Sequence, residues 1–229
     1  MNGVAPVWVV VPVRDFVGSK SRLAPLLSLD ERSALSRAML EDVLGCLGRS
    51  PHIEGVAIVT DNTEAMAVAA RQRAHILPDA AGGDGLGHSL NASLENARAW
   101  LRRHRPAVGM LVLPADIPAA TPDDIASLIE SDSDVVLARA DDGGTNALRL
   151  APNISLPFSF GPDSFARHCA AAAALRVRIV HRAGLSLDID RPDDIASYLA
   201  QARDSRTLDI LRRLDIATRL GSDARRGVA

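Results

Sequence analysis

Arg14, Lys20 and Arg22 place three cations within nine residues, directly after an apolar run over 7–13. Gly18, Ser19 and Ser21 lie among them, so the backbone can turn tightly and aim several N–H donors at one point. Fixed donors with charged side chains are what a polyphosphate requires. The segment is neither a GxxxxGK[ST] loop nor a GxGxxG fingerprint. Its spacing alone therefore leaves a phosphate cradle and a solvated basic loop both open.

The acidic residues point to a cation. Asp116 closes the apolar run 109–113 through Pro114 and Ala115. In Leu187-Asp188-Ile189-Asp190, an extended backbone sends both carboxylates to one face, roughly 7 Å apart. Two like charges held together are costly unless a cation or a proton lies between them. Magnesium, which takes one or two carboxylates plus phosphate oxygens, removes that cost. The alternative is that Asp116 ends a turn and Asp190 caps the helix that Pro192 begins. Two further turns, Asp141-Asp142-Gly143-Gly144-Thr145-Asn146 and Phe160-Gly161-Pro162-Asp163-Ser164, carry the small and hydroxylated residues of an anion cradle. Turn chemistry by itself also explains them. The glycine-rich stretch 82–87, followed by Ser89, Leu90 and Asn91, is a weaker candidate for holding a base or ribose. Of six histidines, only His168 lies close to one of these turns, and no catalytic Ser/His/Asp or Cys/His spacing stands out.

These residues must be positioned by a frame, and the apolar pattern predicts one. Strands are expected over 7–13, 53–59, 74–77, 109–113, 134–138, 146–150, 177–180 and 185–189. Helices are expected from the Ser28/Glu31 capping box to 47, then over 63–71, 89–103, from Pro122 after Thr121, and over 164–174, 192–203 and 206–220. Alternating strands and helices imply a mostly parallel, three-layer α/β sheet, mixed where 134–165 runs strand to strand. Ligands of such sheets bind beyond the carboxyl ends of the strands, where Arg14, Lys20 and Asp116 fall. The segments Thr121-Pro122-Asp123-Asp124-Ile125-Ala126-Ser127 and Arg191-Pro192-Asp193-Asp194-Ile195-Ala196-Ser197 echo one another, each after an aspartate, as two well-made helix starts.

Composition bounds the partners. The chain has 229 residues, 47% hydrophobic and 24% charged, with a formal net charge of −2. That suits a globular domain and argues against a nucleic-acid binder, which would be basic. The run 7–13 is too short to span a membrane and lacks the flanks of a signal peptide, so no membrane partner is expected. Two distant cysteines, Cys46 and Cys169, read as reduced thiols in a cytoplasmic protein. Trp8 and Trp100 read as packing residues. One count is unusual: of 26 basic residues, Lys20 is the sole lysine.

Taken together, Pro12-Val13-Arg14, Lys20-Ser21-Arg22-Leu23, Leu90-Asn91, Leu113-Pro114-Ala115-Asp116-Ile117-Pro118, Gly143-Gly144-Thr145-Asn146-Ala147-Leu148, Phe160 through His168 and Asp188-Ile189-Asp190 resemble the 2-phospho-L-lactate guanylyltransferase family. That family includes enzymes acting on phosphoenolpyruvate and 3-phospho-D-glycerate and serves coenzyme F-420 biosynthesis. The likeness covers residues 7–200 and leaves about 205–229 as a C-terminal helical extension to a 1–204 domain. It implies a Rossmann-like nucleotide-diphospho-sugar transferase fold and transfer of GMP from GTP to a phosphorylated three-carbon acid, with release of pyrophosphate. Carried over by motif, Asp116, Asp188 and Asp190 hold Mg2+. Pro12, Val13, Arg14, Lys20, Arg22, Ser89, Asn91 and Asp116 meet GTP, and Thr145, Gly161 and Ser164 meet the acceptor. Lys20, Arg22 and the three aspartates are the expected catalytic set. Arg14 departs from the family's usual lysine, keeping the charge but not its point-like geometry. Alternatives are a nucleotidyltransferase using CTP or a molybdopterin or sugar-phosphate acceptor, and a non-catalytic GTP-binding protein. The amphipathic C-terminal helix could serve a homodimer.

Overall fold

The computed structural model describes residues 4–16, 18, 20–79 and 89–226. The glycine-rich stretch 82–87 lies outside the described residues. The β-branched run forms β1 (Val7–Pro12) at the heart of a seven-stranded sheet of order β3-β2-β1-β4-β6-β5-β7. β2 (Ile53–Val59) and β4 (Gly109–Val112) flank β1 in parallel, and β3 (His75–Leu77) extends the sheet beyond β2. β6 (Thr145–Leu150) runs antiparallel to both β4 and β5 (Val135–Arg139), while β7 (Val177–Val180) pairs in parallel with β5. The expected antiparallel pairing within 134–165 is thus present. It has a functional consequence: an antiparallel strand begins where its parallel neighbours end, so Thr145 opens β6 at the ligand edge of the sheet.

Strand periodicity divides the core into three layers. Val7, Val9 and Val11 pack with α1 (Leu29–Leu47), α2 (Thr63–Arg71) and α4 (Pro122–Ile129). Trp8 and Val10 pack on the other face with α3 (Leu90–His104) and α5 (Ser164–Ala171). Trp8 and Trp100 meet there with ring centroids 5.3 Å apart, as packing residues. Ser28 and Glu31 form the expected capping box of α1.

The expected strand over 185–189 is absent from the sheet. Ala183–Ser186 instead makes one helical turn, α6, and the chain then runs extended from Leu187. A single backbone bond ties it to the end of β4, from Ile189 N–H to the Asp116 carbonyl at 3.0 Å. The alternation that suggested a strand is real, because Leu187 and Ile189 are buried while Asp188 and Asp190 face away from that core. It reflects one-sided burial without a ladder. The expected helix 206–220 is also two helices, α8 (Arg206–Arg213) and α9 (Ile216–Arg226), broken at Asp215 with its left-handed φ of 48°. The helix begun at Pro192, α7 (Pro192–Gln201), stops short of 203, and α5 stops at Ala171 rather than 174.

A third apolar cluster joins Leu208, Leu211 and Ile216 to Leu35 and Met39 of α1, to Tyr198 of α7, and to Leu23, Leu27, Leu187 and Ile189. Asp42 accepts the first N–H groups of α8, from Arg206 at 3.0 Å and Thr207 at 2.8 Å. The apolar face of α8 is therefore buried within the chain. The same cluster backs both the loop carrying Lys20 and the segment carrying Asp188 and Asp190. Cys46 and Cys169 are free thiols, and among the described residues no helix is long and apolar enough to cross a membrane.

Candidate active site

After β1 the chain leaves the sheet and reaches Lys20, whose backbone is left-handed at φ 56°, just before a 3-10 turn over Ser21–Leu23. That turn is anchored by Leu23, fully buried in the third cluster, so the lysine side chain is directed back over the sheet edge. Its Nζ donates to Asp116 Oδ2 at 2.6 Å and to Asp190 Oδ1 at 2.8 Å, with only 8% of the side chain exposed. Burial alone would lower the affinity of this amine for its proton, but the two carboxylates outweigh it and hold Lys20 firmly charged. Arg22 reaches the other oxygen of Asp190 at 3.2 Å. Burial opposes ionisation of Asp190, yet Lys20 and Arg22 bring its carboxyl below the ordinary aspartate value. Asp194, at the start of α7, accepts the backbone N–H groups of Asp190 and Arg191 at 2.9 and 2.7 Å and so fixes this corner. Asp124 plays the equivalent capping role for Thr121.

Asp188 has the opposite electrostatics. Burial, followed by the like charge of Asp116, pushes its carboxyl up to about 6. Asn146, the second residue of β6, donates to it at 3.3 Å. Asp116, which Lys20 engages, and Asp188, which has no cationic partner among the described residues, are hard oxygen donors of the kind that fits a divalent cation. Asp190 is engaged by Lys20 and Arg22, and among the described residues no three His, Cys, Asp or Glu side chains form a ready-made ion cage.

A cavity of about 300 Å³ lies against this cluster, lined by Pro12, Val13, Arg14, Lys20, Asp116 and Asp190 among others. A second, of about 490 Å³, shares Arg14 and Asp15 with it and continues along Asp61, Asn62, Thr63 and Asp79. The last four were not among the expected site residues. Asp61, Asn62 and Thr63 sit just past the carboxyl end of β2 and Asp79 just past that of β3, and the same strand-end rule that singled out Arg14 and Asp116 applies to them. Asn62 caps α2 and donates to Asp15 at 3.1 Å.

The two expected acceptor turns meet in a buried hydroxyl cluster. Ser164 Oγ donates to Thr145 Oγ1 at 3.2 Å, and His168 Nδ1 lies 3.0 Å from the same oxygen. Gly161, at φ 125°, occupies a backbone region that a side chain would strain. Its carbonyl accepts the Ser164 N–H at 3.1 Å, closing the turn. Ser89 and Asn91, expected on the nucleotide side, are placed differently from each other. Ser89 caps α3 through the Ala92 N–H. Asn91 clasps the Phe160 backbone, accepting its N–H at 2.8 Å and donating to its carbonyl at 3.2 Å. His168 and Asn146 also stand outside the expected set. Both lie within motifs that sequence reading singled out, and only their hydrogen bonds reveal a role.

One cationic cluster, one carboxylate set and one neutral hydroxyl cluster, converging where β1, β4 and β6 meet, suit the binding of a nucleotide and a small polar partner side by side. A family model described as guanylyl transferase CofC like matches residues 7–229. The match therefore takes in the C-terminal helices that the motif likeness over 7–200 had left outside. A phosphoenolpyruvate guanylyltransferase of Rubrobacter xylanophilus is 39% identical, over 83% of this chain and 92% of its own. A 3-phospho-D-glycerate guanylyltransferase of Phenylobacterium zucineum is 34% identical over 88% and 94%, and a 2-phospho-L-lactate guanylyltransferase of Methanothermobacter thermautotrophicus is 32% identical over 90% and 89%. Among solved structures, a Desulfovibrio desulfuricans G20 protein assigned to the nucleotide-diphospho-sugar transferases superposes with a TM-score of 0.78 at 18% identity, covering 94% of this chain and 97% of its own. At that identity the likeness speaks for the fold alone, which is the Rossmann-like one expected. The strands, the charged corner and these relatives agree, and the chain belongs to the CofC-like guanylyl transferase family.

Proposed function

We propose that this chain transfers GMP from GTP to a phosphorylated three-carbon acid, a step in coenzyme F-420 biosynthesis, in the cytoplasm and with Mg2+ as cofactor. The observation that carries the reading is Lys20, buried between Asp116 and Asp190 beside a cavity at the carboxyl end of β1. The acceptor is 2-phospho-L-lactate, phosphoenolpyruvate or 3-phospho-D-glycerate, the substrates in the names of the relatives.

The reaction is an in-line displacement. An oxygen of the acceptor's phosphate forms a bond to the α-phosphorus of GTP, the bond from that phosphorus to the bridging oxygen of the β-phosphate breaks, and pyrophosphate leaves. The attacking oxygen is already ionised at neutral pH, so no strong general base is needed, and the work is positioning and charge neutralisation. Lys20 and Arg22 supply positive charge for the departing pyrophosphate, and Arg14 extends the cationic wall. Asp116 and Asp188, with Asp190 at the rim, are the residues that would hold Mg2+. Bound there, the ion would supply charge neutralisation at phosphate oxygens. Thr145, Gly161 and Ser164 hold the acceptor.

The test is direct. The protein is incubated with Mg2+, each of the three acids, and GTP, CTP, ATP or UTP in turn, while pyrophosphate release is followed and the product is weighed. Release with GTP and one acid, with a product mass equal to the acid plus a guanylyl group, is expected. Turnover with CTP but not GTP overturns guanylyl transfer, and GTP binding without turnover on any acid points to a non-catalytic nucleotide binder.

A further inference from the structure

His168 is fully buried, lies outside the charged corner and takes no part in the displacement, yet it makes two directional contacts. Its Nε2 accepts the backbone N–H of Ser159 at 3.0 Å. A backbone N–H can only donate, so Nε2 carries no hydrogen, and in the neutral ring the proton must sit on Nδ1. That Nδ1–H faces Thr145 Oγ1 at 3.0 Å. The same oxygen accepts the Ser164 hydroxyl at 3.2 Å. Thr145 Oγ1 therefore has both lone pairs filled, and its own proton finds no acceptor among the described residues. A buried hydroxyl left with only a donor to offer is costly unless something else supplies the oxygen.

Resting on the guanylyl-transfer reading, we propose that His168 is a positioning residue that locks the Thr145 hydroxyl as an obligatory donor toward an anionic oxygen of the phosphorylated acid. The surroundings hold the ring in this role. Phe160 packs against it edge-on, with centroids 4.9 Å apart, and the Phe160 backbone is clasped in turn by Asn91. Arg167 holds the Ser159 carbonyl at 2.8 Å, on the far side of the residue whose N–H fixes the tautomer, so Ser159 is itself anchored. Burial, helped by the nearby Arg167 charge, lowers the pKa of His168 to about 4, which keeps the ring neutral at working pH. The consequence is selectivity by polarity: the hydroxyl cluster receives a carboxylate or phosphate oxygen and rejects a group that can only donate.

Two substitutions separate this role from simple support of the fold. The amide nitrogen of an asparagine sits near the position of Nδ1, so His168→Asn can still donate to Thr145 but no longer reaches Ser159. A glutamine reaches the position of Nε2, so His168→Gln can still accept the Ser159 N–H but offers Thr145 no donor. Steady-state kinetics with GTP and the accepted acid should show KM for the acid raised about tenfold or more in His168→Gln, the size expected for a lost hydrogen bond to a charged group. His168→Asn should stay within about threefold of the parent, and KM for GTP should not move in either variant. In a Thr145→Val background His168→Gln should add nothing further. The reverse order of the two variants, or additive effects with Thr145→Val, overturns the proposal and makes His168 a brace for Ser159. Long-range 1H–15N spectra of the unmodified protein read the tautomer without any turnover or substitution: an Nδ1-protonated ring at His168 supports the proposal, and an Nε2-protonated or doubly protonated ring at neutral pH overturns it. Lack of turnover on all three acids would count against guanylyl transfer instead, leaving the tautomer to decide this inference.

Discussion

The charged corner and the hydroxyl cluster stand on neighbouring strands and are built in opposite ways. Around Lys20, ions hold the geometry: one ammonium, two carboxylates and a guanidinium, partly open to water. Around Thr145 the hydrogen-bond partners His168 and Ser164 are neutral and buried, and hydrogen-bond direction does the holding. Under the proposed assignment, the contrast follows from what each would bind. A triphosphate tail changes charge as it departs and is best met by cations that act at range. A small acid that must be told from its relatives is best met by fixed donors, since unpaired polar groups discriminate strongly. β6 ties the halves together, sending Thr145 to His168 and the next residue, Asn146, to Asp188.

The comparison breaks most sharply at Lys20. Lys20→Ala should cut turnover by about 10²–10³, as for loss of one electrostatic contact in a transition state. It should also lower stability by about 1–2 kcal/mol, since Asp116 and Asp190 lose their partner but keep 28% and 38% of their surface exposed. Stopped-flow or quench measurements of pyrophosphate release, together with chemical denaturation, check both figures. Asp188→Asn should cost turnover on the same scale yet leave Tm unchanged or raised, because it removes a charge that burial and Asp116 disfavour. Parent-like activity in both variants would remove the charged corner from the mechanism.

Acid should distinguish the halves by stability. Burial lowers the pKa of His168 from its ordinary 6.5 to about 4 in the folded chain. Its contribution is present above 6.5 and lost as pH falls through 4, an effect of about 2–3 kcal/mol. Denaturation between pH 7 and 4 should therefore show a shallower pH slope for His168→Asn than for the parent. Asn91→Ala sharpens the boundary between the halves. Freed from Asn91, the Phe160 backbone loses its clasp, and KM for the acid should rise about tenfold, with a smaller change for GTP. A larger change for GTP would instead support the expected place of Asn91 on the nucleotide side.

The smallest effect serves as a control outside both regions. Arg219 pairs with Glu31 at 2.9 Å and, with the Ser28 backbone N–H, brings the Glu31 carboxyl down to about 2. Arg219→Ala should lower stability only slightly, as loss of an exposed ion pair does, with kcat unchanged. The difference from the parent should be full above pH 4.5 and shrink as pH falls toward 2.

Much of this was legible in the residues themselves. The β-branched run, the Ser28/Glu31 box and the Pro-started helices each carry local signals that tertiary structure did not override. The meeting of Lys20 with Asp116 follows from strand-end positions, because parallel strands deliver their carboxyl ends to one edge, whereas Asp190 was expected there from a strand that the structure lacks. What was not legible depended on long-range direction. Leu185 to Ile189 alternates like a strand, and nothing local says that only one ladder bond will form. The break at Asp215 is a single left-handed residue that an unbroken helical pattern hides. The role of His168 rests on which of its nitrogens meets an N–H from Ser159, nine residues earlier, and sequence spacing carries no such information.

Lys20 is the sole lysine of the chain and is sheathed by two aspartates. Amine-directed reagents should therefore find one principal target, the α-amino group, while the ε-amine stays protonated and shielded. Any event that pulls Lys20 away from Asp116 and Asp190 should announce itself as a second labelled peptide, giving this chain a built-in chemical reporter of rearrangement at the charged corner.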